Sequence, residues 1–89
     1  MKRNEIYFSG SVQGVGFRFT SKQASRNYNV TGTVENLADG RVKMICEGDH
    51  AQIQAFIVEV GQSTYGRVTK TEILDKPFIG EFELFDIVS

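Results

Sequence analysis

Apolar residues recur along this chain of 89 residues with two different periods, and the switches between them mark out its elements. Residues 5 to 10 read as a short strand, and Ser11 to Gly16 follow as a loop with two glycines. Phe17, Ser21, Ala24 and Tyr28 then fall near one helical face, with Lys22, Arg26 and Asn29 largely elsewhere, so the spacing predicts a helix from Phe17 to Tyr28. From Val30 to Leu37 the pattern is extended, and Ala38-Asp39-Gly40 supplies turn chemistry. Val42, Met44 and Cys46 next alternate with Arg41, Lys43 and Glu47, as in a strand with one buried face; Ile45 is the exception. Residues 31 to 47 thus form a hairpin. Asp49 suits the N-cap of a second helix, with Gln52 three residues on, and Ile53, Phe56, Ile57 and Val60 give its apolar stripe. Gly61 is read as its end, residues 65 to 74 as a further strand, Pro77 to Glu81 as a connection, and Phe82 to Val88 as a last strand.

The order β-α-β-β-α-β plus a short C-terminal strand predicts an α+β, ferredoxin-like split β-α-β sandwich, with two helices on one face of an antiparallel sheet. Residues 1–89 are expected to make a single domain, without repeats, linkers or low-complexity segments. In this arrangement the first and second strands run parallel with the third between them, so both end at the same edge, about 10 Å apart. Such a fold hosts many functions, and function must come from the site.

Composition narrows the classes. A net charge of −1 argues against a partner held by bulk electrostatics, since nucleic-acid binders carry a basic stripe or face. Any anion is bound locally. Cys46 is the only cysteine, so no internal disulfide forms, and its alternating position reads as a reduced, half-buried strand thiol in a cytoplasmic protein. Ile6-Tyr7-Phe8 is too short for the apolar core of a signal peptide, and no run approaches the roughly 18–20 apolar residues of a membrane span. The expectation is a soluble cytoplasmic monomer that engages neither nucleic acid nor membrane.

Chemistry concentrates in Gly10-Ser11-Val12-Gln13-Gly14-Val15-Gly16-Phe17-Arg18, which joins the first strand to the first helix. Glycines let successive N–H groups curl around one point, and a helix N-terminus adds unpaired N–H groups with partial positive charge. Arg18 adds a planar, permanently charged fork suited to two oxygens of a phosphate or carboxylate. A plain tight turn beside a solvated arginine fits the same residues.

Val12-Gln13-Gly14-Val15-Gly16-Phe17-Arg18, preceded by Gly10, resembles the phosphate-binding signature of the acylphosphatase family. A second signature of that family is present as Gly32-x-Val34-x-Asn36-x-x-x-Gly40-x-Val42 with Gly48 beyond it, and Phe85-Asp86-Ile87 matches its closing Phe-x-Ile. Thr33 stands where the family usually carries an aromatic residue, and Ser11 where a larger, often basic side chain is common. The resemblance implies a metal-independent hydrolase without cofactor that cleaves acyl phosphates to a carboxylate and inorganic phosphate. It implies that Arg18 is the phosphate-binding catalytic arginine, with Gln13, Gly14, Val15, Gly16 and Phe17 in the phosphate loop, and that Asn36 orients the attacking water. Taken without the resemblance, Asn36 reads as a turn residue. A module of the same kind that binds a phosphorylated or carbamoylated ligand without turnover is the alternative.

Other residues carry less. His50, the only histidine, sits at the start of the second helix, at the end of the sheet opposite the expected site. Cys46 has no histidine or second cysteine at a useful place, and Glu47, Asp49 and His50 show no ligand spacing. Tyr7 and Phe8 on the first strand suggest base stacking, but the core accounts for at least one of them.

Overall fold

Five strands and two helices alternate along the chain, and a computed structural model describes them over residues 1–63 and 66–88. They are β1 (Lys2–Ser11), α1 (Phe17–Ser25), β2 (Val30–Asn36), β3 (Val42–Gly48), α2 (His50–Ser63), β4 (Arg67–Lys76) and β5 (Phe85–Ile87). The sheet order is β4-β1-β3-β2-β5. β3 lies antiparallel between β1 and β2, with Phe8 and Asn36 both facing Val42 in register. The ends of β1 and β2 therefore stand level, two inter-strand spacings apart. β5 runs parallel to β2, which makes the expected antiparallel sheet a mixed one.

The alternation read from the sequence puts Ile6, Phe8, Val34, Val42, Met44 and Cys46 on one face of the sheet, and all are at most 1% exposed. Both helices lay their apolar stripes on that face, α1 through Phe17 and Ala24 and α2 through Ile53, Phe56, Ile57 and Val60. Each of these large side chains contributes about 1.5–3 kcal/mol by leaving water. Ring contacts lock the layers together, Phe8 on Phe17 at 4.9 Å and Phe56 on Phe85 at 5.1 Å between centroids. The predicted ferredoxin-like architecture is the one observed.

The boundaries differ from expectation in informative ways. β1 starts at Lys2 and β4 runs to Lys76 because Arg3 and Asn4 pair with Lys76 and Asp75, polar residues that no apolar periodicity marks. The expected start of that strand at residue 65 lies outside the described residues. α1 stops at Ser25, since Arg26, Asn27 and Tyr28 donate to the carbonyls three residues back and so tighten out of the α-helix. Tyr28 keeps its place on the core, its ring 6.0 Å from Phe56. Helix α2 continues through Gly61 to Ser63, because a single glycine weakens a helix by about 1 kcal/mol without breaking it. Gln52 departs from its expected capping role, with its Oε1 accepting the Asn29 N–H at 2.9 Å. β5 is only three residues long.

The opposite face of the sheet is where the alternation misleads. Glu47 falls on the polar side of β3 yet is 1% exposed. The segment after β4 folds over it. The N–H groups of Ile79 and Gly80 donate to its carboxylate at 2.9 and 3.1 Å, and the Arg3 guanidinium at 3.1 Å.

Candidate active site

Beyond β1 the chain reverses through Gly14 and Gly16, whose φ angles of 76° and 78° lie in the left-handed region. An added Cβ at either would meet nothing within 4 Å, so conformation rather than space is what calls for glycine there. Gly16 is the N-cap of α1, no side chain caps that end, and the first turn holds no acidic residue. The first backbone bond of the helix runs from the Thr20 N–H to the Gly16 carbonyl at 2.9 Å. The N–H groups before it have no intrahelical acceptor, and they carry the positive end of the helix dipole.

Asn36 is the last residue of β2 and shares the face of Val34, which belongs to the helix side of the sheet. Its side chain therefore projects toward the layer where α1 begins. There it lines a cavity of about 220 Å³ together with Gly14, Gly16, Phe17, Arg18, Val12, Phe19 and Ile87. Arg18 is half-buried and enters no ion pair or side-chain hydrogen bond among the described residues. A cavity with a helix N-terminus, an unpaired guanidinium and a carboxamide is equipped to hold a tetrahedral oxyanion with a small polar molecule beside it.

The loop residues expected to bind phosphate separate into two groups. Gly14, Gly16, Phe17 and Arg18 line the cavity. Phe17 is 2% exposed, with its ring packed on Phe8. Gln13 and Val15 do not line it. The Val15 side chain packs against the hydrophobic core, and the Gln13 amide donates to the Leu37 and Arg41 carbonyls at 2.8 and 2.9 Å. Only the main chain at these two positions is left for an anion.

Three cavity residues were not anticipated as site residues. Val12 lies in the signature but is 1% exposed and serves as floor. Phe19 leaves its ring 60% exposed at the first turn of α1, a placement for which an apolar residue directly after Arg18 was the only signal. Ile87 arrives because β5 pairs parallel with β2 and puts residue 87 beside Val34, a long-range pairing that periodicity does not reveal. Thr33 pairs with Ile45 and Asp86, and Ser11 with Arg67, so both departures from the family pattern lie outside the cavity lining.

The residues set aside from the sequence stay apart from this cavity. His50 is exposed at the start of α2, beyond the sheet end where Gly48 faces Lys2 and Val30. Cys46 is fully rather than half buried, and burial, with Glu47 adjacent, pushes its thiol up to about 12, which leaves no thiolate near neutrality. Phe8 is a core residue, while Tyr7 lies on the other face beneath the Arg41 guanidinium, 4.7 Å from its ring centroid. Among the described residues no three His, Cys, Asp or Glu side chains stand together as metal ligands. None of their helices is long and apolar enough to cross a membrane.

Comparisons with known proteins point to one family. The family model described as Acylphosphatase matches residues 4–87. The acylphosphatase of Syntrophobacter fumaroxidans is 36% identical over 87 residues, which cover 97% of this chain and 90% of that protein. The crystal structure of acylphosphatase from Bacillus subtilis superposes with a TM-score of 0.93 at 30% identity, each chain covered in full. The crystal structure of HypF from T. kodakarensis matches with a TM-score of 0.86 at 31% identity, covering all of this chain but 12% of that one, so the same domain also occurs as a small part of a larger protein. With a family model spanning nearly its whole length and a relative matched end to end, the chain belongs to the acylphosphatase family of hydrolases.

Proposed function

We propose that the protein hydrolyses acyl phosphates to a carboxylate and inorganic phosphate by attack of water at phosphorus. Arg18 and the N–H groups of the 12–18 loop hold the phosphoryl oxygens, and Asn36 orients the water through its side-chain amide. The observation that carries this reading is that Arg18 and Asn36, from different elements, line one cavity against the uncapped start of α1. In the reaction the water oxygen forms a bond to phosphorus as the bond from phosphorus to the acyl oxygen breaks. The bonding pair leaves with the carboxylate, and the water proton passes to a phosphoryl oxygen of the substrate. A carboxylate is a stable leaving group near neutrality and needs no general acid, so positioning and charge stabilisation are sufficient.

Turnover of a simple aryl or alkyl acyl phosphate, measured beside a phosphate monoester, tests the reading. Acyl phosphate should be hydrolysed with or without chelator, the monoester hardly at all, and inorganic phosphate should compete with substrate. Absence of turnover with phosphate still bound would assign the site to a binding module. Purely noncompetitive inhibition by phosphate would remove the loop from the mechanism.

A further inference from the structure

Gln13 stands in the anion loop, yet its side chain leaves that loop for the turn between β2 and β3. Its Nε2 donates to the Leu37 carbonyl at 2.8 Å and to the Arg41 carbonyl at 2.9 Å. A carboxamide nitrogen has two hydrogens, so both are committed. The acceptors occupy a telling place. Asn36 is paired with Val42, and the Leu37 N–H donates to the Arg41 carbonyl at 2.8 Å, so residues 37 and 41 close the turn directly beyond Asn36. Past them the chain leaves the sheet, and Ala38, Asp39 and Gly40 are exposed. Among the described residues no other side-chain hydrogen bond joins residues 12–18 to residues 36–42.

We infer that Gln13 is a positioning residue: it sets the distance between the anion loop and Asn36 by pinning the loop to the turn that Asn36 opens, and its side chain does not bind the phosphate. This rests on the proposed roles of the loop and of Asn36. A phosphoryl group held by one element and a water held by another react only while the two elements keep their separation, and an error of about 1 Å costs on the order of 100-fold in rate. Gln13 supplies that constraint through two hydrogen bonds from the loop to the turn directly beyond Asn36. Its two acceptors are backbone atoms of the turn, so the constraint acts on the frame that carries Asn36 and leaves the Asn36 carboxamide free for water.

The test uses Gln13→Met, which keeps length and volume but has no donor, alone and combined with Asn36→Ala. Turnover, KM and the competitive inhibition constant of inorganic phosphate are measured for each. Gln13→Met should lower kcat by about 100-fold while KM and phosphate inhibition stay native-like. The double variant should be no slower than Asn36→Ala alone, since a lost constraint has nothing left to position. Native-like kcat in Gln13→Met overturns the inference, as does weakened phosphate inhibition with kcat intact, which would make the side chain an anion ligand. Losses that multiply in the double variant overturn it too. Should Gln13→Met not fold, Gln13→Asn, with the amide retained on a stem one methylene shorter, carries the same measurements with a smaller fall in kcat expected. An Asn36→Ala variant with near-native turnover would bring down the proposed mechanism and this inference together. An inactive Asn36→Ala beside a native-like Gln13→Met would bring down the inference alone.

Discussion

Two arginines at opposite ends of the same sheet show how differently one side chain can be used. Arg3, on β1, is 9% exposed and paired: its guanidinium bonds Glu47 at 3.1 Å and Glu81 at 3.0 Å and lies 5.3 Å from the centre of the Phe82 ring. Arg18, at the start of α1, lines a cavity and has no charged partner among the described residues. Burying an ion is costly unless it is paired, and Arg3 is paired with two carboxylates through Nη1. Arg18 is held beside a helix N-terminus that repels it, with no carboxylate to offset that repulsion. A cation kept in such surroundings is suited to a transient anion, whereas a satisfied one fastens elements together.

Exchanging each arginine for lysine should separate the two uses. Arg18→Lys keeps the charge but loses the fork, and kcat/KM should fall by about 1000-fold while the unfolding midpoint stays native-like. Arg3→Lys should do the reverse, lowering the midpoint and sparing the turnover of folded protein. Normal phosphate binding and turnover in Arg18→Lys would erase the distinction, and with it the anion site.

Asn36 sharpens the picture on the cavity side. Its loss leaves the loop, Arg18 and the helix terminus whole, so Asn36→Ala should lower kcat by about 100-fold with phosphate affinity unchanged. Titration of phosphate beside turnover measures both quantities. If turnover survives, Asn36 is only the last residue of a strand.

The cavity was legible in the sequence to an unusual degree because its parts are local. The two glycines, the start of α1 and Arg18 lie within five residues, Gly14 to Arg18, and Asn36 sits at a strand end that the β-α-β-β order brings level with them. The side chain of Gln13 was not legible, since its target carbonyls belong to a turn 24 and 28 residues away. Neither was the other region. Alternation along β3 assigns Glu47 to solvent, and nothing nearby announces that Ile79 and Gly80 will cover it from 32 and 33 residues further on. Periodicity reports which face of an element is apolar, not what later folds over the polar one.

Glu47→Gln tests that second region. It keeps the shape but removes the charge that Arg3 and the Ile79 and Gly80 N–H groups share. Arg3 would retain Glu81, so the cost should be about 2 kcal/mol, less than for an arginine left wholly unpaired. Denaturant unfolding measures it, and kcat should not change. A fall in kcat without a fall in stability would tie this network to the cavity and blur the contrast between the two arginines.

The smallest expected effect is the way that difference fades in acid. Burial raises the affinity of Glu47 for a proton, but the Ile79 N–H, Arg3 and the Gly80 N–H outweigh it and hold the carboxyl below its ordinary value of 4.5. The unfolded chain therefore takes up the proton first as pH falls. Glu47 contributes its full stabilisation above 4.5, and the contribution drains away from there down through the depressed folded value. Glutamine has no such titration. The stability gap between the native protein and Glu47→Gln should accordingly be widest near neutrality and narrow steadily below 4.5, which unfolding midpoints taken down a pH series would reveal. Comparing the two proteins at each pH cancels Asp39 and Asp86, whose pKa values are also lowered, Asp39 by the Arg41 N–H and guanidinium and Asp86 by Lys22 and the Ile87 N–H. A gap independent of pH would mean that the cost of the substitution comes from packing or hydrogen-bond geometry, and that the charge of Glu47 does not fasten this end of the sheet.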